Sequence, residues 1–404
     1  MKQTKSLLYF SLVIIQCISV NCLAGVLKSE NHYIANPIYC SINLIDLGST
    51  KRVEVAFEIS RLSNSNTPDQ VEINYLIESQ GKVVLEKKID LGETSVEKIN
   101  STFYFNFSID KDNQPGSVLK IIIRDMKTND VIEKQAILSE AKTANSVSFG
   151  LKNLSNKNHN TYVMEGDSIS FPDLNGDFPI YITRFDYEFL PAAPPMGNGI
   201  GSGARELRVD SMIVVKSNQP FTLDKKTLYF AQSDSSSTIG IGFIVVDKDY
   251  PKFSNVEKIA KSMIYISTDK EIQSFLTARD KKSVLDNFWI NSGGSVENAK
   301  RLIKTYYQRV AYANKNFTTY KEGWKTDKGM IYIVFGRPDE TYEVENGERW
   351  VYFLGKKRDR VTFEFFKRNN IFSGNHYELN RSPQYKKVYF TQVSKWRKGE
   401  LEYE

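Results

Sequence analysis

Cysteine and histidine are scarce in this chain of 404 residues, with three of each. Once the amino terminus is removed, as argued below, Cys40 is the cysteine that remains, and one thiol cannot close an internal disulfide. We therefore expect Cys40 to be a buried strand residue and the folds to be held by core packing. The histidines, His32, His159 and His376, are far apart and show no metal-ligand spacing. The sequence therefore predicts no metal site and no cofactor.

Familiar catalytic and phosphate-binding motifs are missing as well. There is no Gly-x-Ser-x-Gly, and the glycine-rich residues 199–203 lack the strand-to-helix context of a phosphate loop. Residues 173–177 faintly resemble a calcium loop, but the later acidic ligand is absent and the pattern is more typical of a turn. An enzyme would need a constellation that this sequence does not display.

The amino terminus is the one strongly apolar stretch, and it is too short to span a membrane. Two lysines precede residues 7–15, and Cys22 and Ala24 place small residues at the minus-three and minus-one positions of a cleavage site. We therefore expect residues 1–24 to be a signal peptide. The mature protein is then exported, periplasmic or associated with the outer envelope, and does not span the membrane. A lipoprotein acylated at Cys22 is the less favoured alternative, because residues 19–21 are a poor approach to such a cysteine.

Charge is unevenly distributed along the chain. The net charge is +6 overall, whereas residues 269–404 carry 26 Lys and Arg against 18 Asp and Glu, a net charge of +8. A basic carboxyl-terminal module favours an anionic partner such as a glycan, lipid head groups or an acidic protein. We expect an envelope protein or an anionic envelope component as the partner, and no nucleic acid.

The first part of the mature chain has the pattern of an all-β domain. In residues 51–60 and 71–78, polar and apolar side chains alternate, and similar short segments follow at regular spacing, joined by polar turns. This spacing predicts an N-terminal Ig-like β-sandwich over residues 25–146.

Residues 147–268 predict a second, less regular β domain. Residues 191–203 are rich in proline and glycine and predict a long mobile loop, with a partner-contact loop as the alternative. Ser168 and Ser211 lie in Asp-Ser-apolar triplets that resemble acceptors for O-glycosylation in some exported bacterial proteins, although such triplets also occur by chance. The predicted strands are residues 180–189, 211–216, 227–231, 239–246 and 263–266.

Residues 269–404 predict a C-terminal α+β module with an α-α-β-β-β plan. Two short helices are expected at residues 271–277 and 282–289, and a longer helix after Ser295, a plausible N-cap with Glu297 in the first turn. The predicted strands are residues 331–335, 348–354, 361–366 and 388–391.

A basic hairpin turn is expected between the strands 348–354 and 361–366. Its cations are Lys356, Lys357, Arg358 and Arg360. Because a hairpin tip is solvated, their charges should project together, and we predict a partner-binding site there.

The most informative segment is a glycine-rich corner followed by the apolar residues 330–335 and a second turn. Its spacing predicts a tight turn, a buried strand and a second turn, and Trp324 is expected to be a core anchor whose indole N–H meets a buried acceptor. The residues that form this signature, for which a structural role is expected, are Gly323, Trp324, Thr326, Asp327, Gly336, Pro338, Asp339 and Trp350.

These residues, together with the surrounding aromatic positions, resemble the GWxTD family of exported bacterial proteins. The resemblance covers the third part of the chain and implies an extracytoplasmic protein. It implies no catalytic residue, because the function of the family is largely unassigned.

Two functions remain open from the sequence. The favoured one is a non-catalytic envelope protein that binds a protein or another envelope component in envelope biogenesis or secretion. The alternative is a hydrolase or glycan-processing enzyme that uses Asp327 or Asp339, although these residues are expected at opposite ends of one strand, too far apart to share a proton.

Overall fold

The structure is a computed structural model that describes residues 38–46, 50–59, 62, 65–99, 102–110, 116–138, 142–143, 152–153, 162–171, 178–197, 207–236, 238, 240–344, 347–355, 358–368 and 370–401. The expected signal peptide, the turn at residues 173–177, and Lys356 and Lys357 lie outside these residues. Several antiparallel sheets form the amino-terminal half, and helices with a further sheet follow, as the sequence predicts at this coarse level.

The amino-terminal part contains two sheets with the strand orders β5-β6-β2-β1-β9 and β4-β3-β7-β8. Neighbouring strands are antiparallel, apart from the parallel pair β1 and β9. One apolar cluster includes Phe57 from the first sheet and Ile73 and Ile121 from the second. Cys40 is a buried residue of β1, as predicted. The strands are β1 Ile38–Asp46, β2 Thr50–Ile59, β3 Val71–Ser79, β4 Lys82–Ile89, β5 Glu97–Ile99, β6 Thr102–Asp110, β7 Val118–Asp125, β8 Val131–Ile137 and β9 Lys142–Thr143.

The middle part contains a five-stranded sheet of order β11-β16-β15-β13-β14 and the small pair β10-β12. In the larger sheet only β11 and β16 run parallel. One face packs around Phe243 and Ile182, and the other contacts Phe372 of the carboxyl-terminal part. The strands are β10 Lys152–Asn153, β11 Tyr162–Met164, β12 Ile169–Ser170, β13 Pro179–Phe185, β14 Val209–Lys216, β15 Leu228–Gln232 and β16 Ile241–Val246.

The carboxyl-terminal part combines six helices with an antiparallel sheet of order β17-β18-β19-β20 in the described residues. The expected caps hold: the Ser295 side chain accepts a hydrogen bond from the Asn298 backbone, and Glu297 lies in the first turn. The helices are α1 Val256–Ser262, α2 Asp269–Thr277, α3 Lys281–Gly293, α4 Val296–Phe317, α5 Asp327–Phe335 and α6 Tyr385–Lys398. The strands are β17 Glu340–Val344, β18 Gly347–Leu354, β19 Asp359–Lys367 and β20 Tyr377–Leu379.

The predicted strand at residues 331–335 is wrong, because this segment belongs to helix α5. All nine residues of α5 are buried. A short run that is apolar on every side shows neither the helical nor the strand period, so its pattern could not distinguish the two. The N-cap favours the helix, because the Thr326 hydroxyl accepts a hydrogen bond from the Gly329 backbone N–H at 3.0 Å.

Two further predicted strands are wrong. Residues 388–391 lie inside helix α6, and Met263–Tyr265 is a 3-10 turn that continues from α1. In α6 the side chains of Tyr385, Tyr389 and Trp396 are buried along one helical stripe, and this packing outweighs the β propensity of the valines and aromatics. The observed order of elements is therefore richer in helix than the predicted α-α-β-β-β plan.

The predicted loop is described over residues 191–197 and contains neither helix nor strand. It contacts the carboxyl-terminal part. The Pro195 carbonyl accepts a hydrogen bond from the Ser382 backbone at 3.0 Å, and the Ala193 carbonyl accepts one from Arg381 at 3.2 Å. Ala192 and Met196 pack against the carboxyl-terminal core. The segment is thus bound to the domain that follows it.

Helix α6 is joined to α2 by a charge pair. Both terminal nitrogens of the Arg397 guanidinium donate to the Glu271 carboxylate, at 2.9 and 2.8 Å. These hydrogen bonds hold the pKa of Glu271 at about 2, against an ordinary value of 4.5. The ion pair of Glu271 and Arg397 therefore remains charged until the pH falls toward 2.

We expect Glu271→Gln to lower the melting temperature at neutral pH and to flatten its decline in acid. Because the pKa of Glu271 is lowered on folding, its contribution is complete above about pH 4.5 and disappears as the pH falls toward 2. Thermal melts across this range test the change, with Glu400→Gln as the control at an exposed position of the same part. An unaltered acid profile in Glu271→Gln would contradict the assignment.

Candidate functional site

The signature corner is held by polar side chains that bind its backbone. The Gly323 N–H donates to the Thr318 hydroxyl at 3.0 Å and to the Tyr250 hydroxyl at 3.3 Å. The Trp324 N–H donates to Oδ1 of Asn314 at 3.0 Å. Since Thr318 follows α4 directly and Asn314 lies in its last turn, the end of this helix supplies the partners that a buried turn requires.

Two glycines of the corner are required by close approach of the backbone. A Cβ at Gly323 would lie 1.9 Å from the carbonyl oxygen of Ala313, and a Cβ at Gly329 would lie 2.0 Å from that of Gly323. Both distances are far below van der Waals contact. Gly336 is needed for a different reason, since its φ of +83° lies in a region that favours glycine.

Trp324 is a core anchor, as expected, and is 3% exposed. Its ring lies edge-on to Phe253 and Tyr265, each with a centroid distance of 6.4 Å. The expectation for its indole is not met, because within the described residues Nε1 has no hydrogen-bond acceptor. Its backbone carbonyl instead accepts a hydrogen bond from the Tyr265 hydroxyl at 2.8 Å.

Asp327 begins α5 and forms a buried ion pair with Arg381. The guanidinium binds both carboxylate oxygens, one of them at 3.1 Å, and the Leu379 N–H donates to the same group at 2.7 Å. The side chains of Asp327 and Arg381 are 9% and 5% exposed. A carboxylate also lies favourably at the first turn of a helix. The signature aspartate therefore has a complete structural role.

Asp339 lies beyond the other end of α5 and is exposed. Its carboxylate accepts a hydrogen bond from the Phe353 N–H at 2.8 Å and so joins the turn to β18. A nine-residue helix separates it from Asp327, a length of about 13 Å. The two carboxylates therefore do not converge on one point, as a catalytic carboxylate pair would require.

The remaining signature residues also pack internally. Pro338 is buried, and Trp350 is 4% exposed with its ring 4.8 Å from that of Phe365. The Trp350 indole donates to Glu348 at 3.2 Å. Burial by itself raises the pKa of Glu348, but the ammonium groups of Lys328 and Lys134 lower it to about 2.

Lys321 is a notable residue that the sequence did not single out. Its side chain is partly buried, and burial lowers its pKa to about 8. Asp327 and Glu378 act in the opposite direction, whereas Lys325 and Arg381 lower the pKa further. Burial shifts the pKa of a lysine readily, but a single lysine before a turn gives no signal of such burial in a sequence.

The predicted partner-binding residues are placed only in part. The turn joins β18 to β19 as expected, because Leu354 pairs with Asp359. The Arg358 guanidinium lies 5.1 Å from the centre of the Phe353 ring, and Arg360 is exposed. Lys356 and Lys357 remain predictions.

The predicted glycosylation positions lie in the middle sheet and its turns. Ser168 precedes β12, and Ser211 lies in β14, each of them partly exposed. Ser211 is paired with Arg184 across the sheet. Modification of either serine remains a prediction.

A basic face on α6 is a second feature that the sequence did not identify, because this segment was predicted to be a strand. A shallow groove along the outside of the helix is lined by Phe390, by four lysines and by one carboxylate, that of Glu400; the lysines are Lys386, Lys387, Lys395 and Lys398. Phe390 is 54% exposed at its centre. The helical spacing of these residues was the signal that could have revealed the face.

The described part of the chain holds no group of three or more His, Cys, Asp or Glu side chains placed to bind a metal ion. Of the helices in the described residues, none has the length and apolar character needed to cross a membrane.

We expect Gly323→Ala to destabilise the domain by about 1–3 kcal/mol, the usual cost of overpacking. The added methyl group must displace the end of α4, because Ala313 occupies its space. Denaturant unfolding followed by tryptophan fluorescence measures the effect. Gly374→Ala is the matched control, since nothing lies within 4 Å of the Cβ it would add. Equal stability of the two variants would disprove the close approach.

Asp327→Asn should cost about 3–5 kcal/mol, because it leaves the Arg381 guanidinium buried without its counter-charge. Asp339→Asn keeps an acceptor oxygen at an exposed site and should change stability by less than about 0.5 kcal/mol. The same unfolding measurement compares the two. A mild effect in Asp327→Asn would show that the pair is solvated.

Comparison with known protein families identifies this part of the chain. Residues 227–398 match the GWxTD domain, a span that runs from the start of β15 to the end of α6. No curated protein matches the chain. The resemblance recognised in the sequence is therefore confirmed, and residues 227–398 of this chain form a GWxTD domain.

Proposed function

We propose that this chain is a non-catalytic binding factor of the cell envelope and that its GWxTD domain binds an acidic segment of another envelope protein. The signal-like amino terminus supports export, and the basic charge of residues 269–404 supports an anionic partner. The amino-terminal sheets would then serve as spacer or docking units, the first of them Ig-like. The internal use of the signature side chains supports binding over catalysis.

One observation carries the proposal: the first turn of α6 contains Lys386 and Lys387 and no acidic residue. A cation at a helix amino terminus opposes the helix dipole, by about 0.3–1 kcal/mol for each charge. The N-cap, Gln384, forms no capping hydrogen bond through its side chain. These lysines do not stabilise their helix, so their positions favour a role toward a partner.

Arg360 of the predicted basic hairpin lies near the first turn of α6 in the fold. The Tyr385 hydroxyl donates to the Thr362 carbonyl at 3.0 Å, two residues from Arg360. Lys386 follows Tyr385 directly. We therefore propose that Arg360 and the first turn of α6 contribute to one basic surface.

The shape of the α6 face favours a protein segment as the partner. A single exposed aromatic, Phe390, occupies a shallow groove with Lys386 and Lys387 near one end and Lys398 near the other. Stable attachment to a lipid surface usually needs a broader apolar face. An acidic segment with one apolar side chain would complement both the charge and the groove.

Replacing Phe390 with the photo-reactive p-benzoylphenylalanine tests the proposal in the cells that produce the protein. We expect illumination to attach an acidic segment of one envelope protein, identified by mass spectrometry. Attachment of lipid or glycan, or no specific adduct, would overturn the proposed partner.

The double variant Lys386→Glu/Lys387→Glu should abolish this adduct and slightly raise thermal stability, because its new charges favour the helix dipole. Because the adduct should be lost while thermal stability rises, its loss cannot be attributed to unfolding. Lys300→Glu/Lys304→Glu makes the same charge change on the exposed face of α4 and should retain the adduct. Capture that survives in the first variant, or is lost equally in both, would contradict the role of α6.

A further inference from the structure

Strand β14 is an exposed edge of the middle sheet. It pairs with β13 along one side, and no other strand of the described residues pairs with its second side. Four of its aliphatic side chains are largely exposed: Val209, Met212, Ile213 and Val214 have exposures of 54%, 48%, 40% and 60%. An edge of this kind is a template for the addition of another strand.

The other edge strands of the described sheets are short or charged. Strands β5, β9, β10, β11, β12 and β20 contain two or three residues each. Strands β8 and β17 are longer, with seven and five residues, and each of them contains two charged side chains. Strand β4 is as long as β14, but lysine or glutamate occupies half of its eight positions. Proteins use such devices to prevent edge pairing, and between Ser211 and Val215 strand β14 has none of them.

We propose that β14 pairs antiparallel with β14 of a second copy of this chain, about a twofold axis at Ile213. Backbone groups of alternate residues point outward from an edge strand. In a twofold antiparallel pair, outward groups meet outward groups only when the axis passes through a residue. If the axis passed between two residues, the outward N–H and C=O groups of one strand would lie opposite residues whose groups point inward. No ladder of hydrogen bonds could then form between the two strands.

Charge and side-chain contacts select Ile213 as the centre. In this register Met212 of each copy faces Val214 of the other, and beyond the regular ladder Lys216 of each copy approaches the Asp210 carboxylate of the other. An axis at Met212 would instead place Arg208 opposite Lys216, a repulsive pair. The β-bulge beside Arg184 limits the regular ladder at the Asp210 end, and Arg184 already binds that carboxylate.

A disulfide between the two copies tests the register, because it forms only where equivalent residues lie close together. Ile213→Cys should form a covalent dimer under mild oxidation, because directly opposed residues have Cα atoms about 4.5–5.5 Å apart. Met212→Cys should not, since its counterpart lies diagonally, at about 7–8 Å. The unmodified chain, run in parallel, reports any dimer made by the native cysteines. Equal yields from both variants would overturn the register.

Analytical ultracentrifugation of the purified protein tests the interface itself. We expect a concentration-dependent dimer whose dissociation constant rises roughly tenfold or more in Val214→Lys, because lysine then replaces an apolar contact on each side of the axis. Val84→Lys is the matched control, since Val84 is 62% exposed on edge strand β4. A monomer at every concentration, a dimer indifferent to Val214→Lys, or pairing of β14 with a different protein would each overturn the proposal.

Discussion

The GWxTD domain depends on the contact between the signature corner and the end of α4. The chain turns from α4 into α5 through a point where a Cβ on Gly323 would overlap the backbone of Ala313. This close approach buries backbone N–H and C=O groups that have no hydrogen-bond partner in a helix or a sheet. Asn314 and Thr318 meet this requirement from the helix, and Thr326 caps the next helix while binding the Gly323 carbonyl. Small residues and short polar side chains are therefore needed together, which explains why the signature mixes these two types.

The buried pair of Asp327 and Arg381 extends this constraint to segments distant in sequence. The carboxylate also binds the Leu379 backbone, and the guanidinium also binds the Ala193 carbonyl. A single buried charge is costly, so the three segments must come together for either charge to be tolerated. The described part of the proline-rich loop is thus physically attached to the GWxTD domain, although it precedes residues 227–398.

The sequence predicted those elements whose local signals agree with their packing. The caps at Ser295 and the alternation in β18 and β19 identified the helix α4 and the hairpin correctly. Helix α5 was missed because burial on all sides removes any period, and its decisive signal was the Thr326 cap. Helix α6 was missed because its valines and aromatics suggested a strand, whereas the spacing of Tyr385, Tyr389 and Trp396 indicated a helix. The signature aspartates were expected at opposite ends of a strand and lie at opposite ends of a helix, and Arg381 could not be foreseen, because its contact with Asp327 spans 54 residues.

The interior and the surface of this protein follow different physical rules. Inside the GWxTD domain, charges such as those of Asp327, Lys328 and Glu348 are close to opposite charges, as the low dielectric demands. On the surface, two lysines oppose the dipole of their own helix, and an edge strand leaves its aliphatic side chains in water. The lysines disfavour their own helix, and the aliphatic side chains of the edge strand leave water only when another surface covers them. We therefore expect partner contacts at these two surface features, outside the signature that identifies the domain.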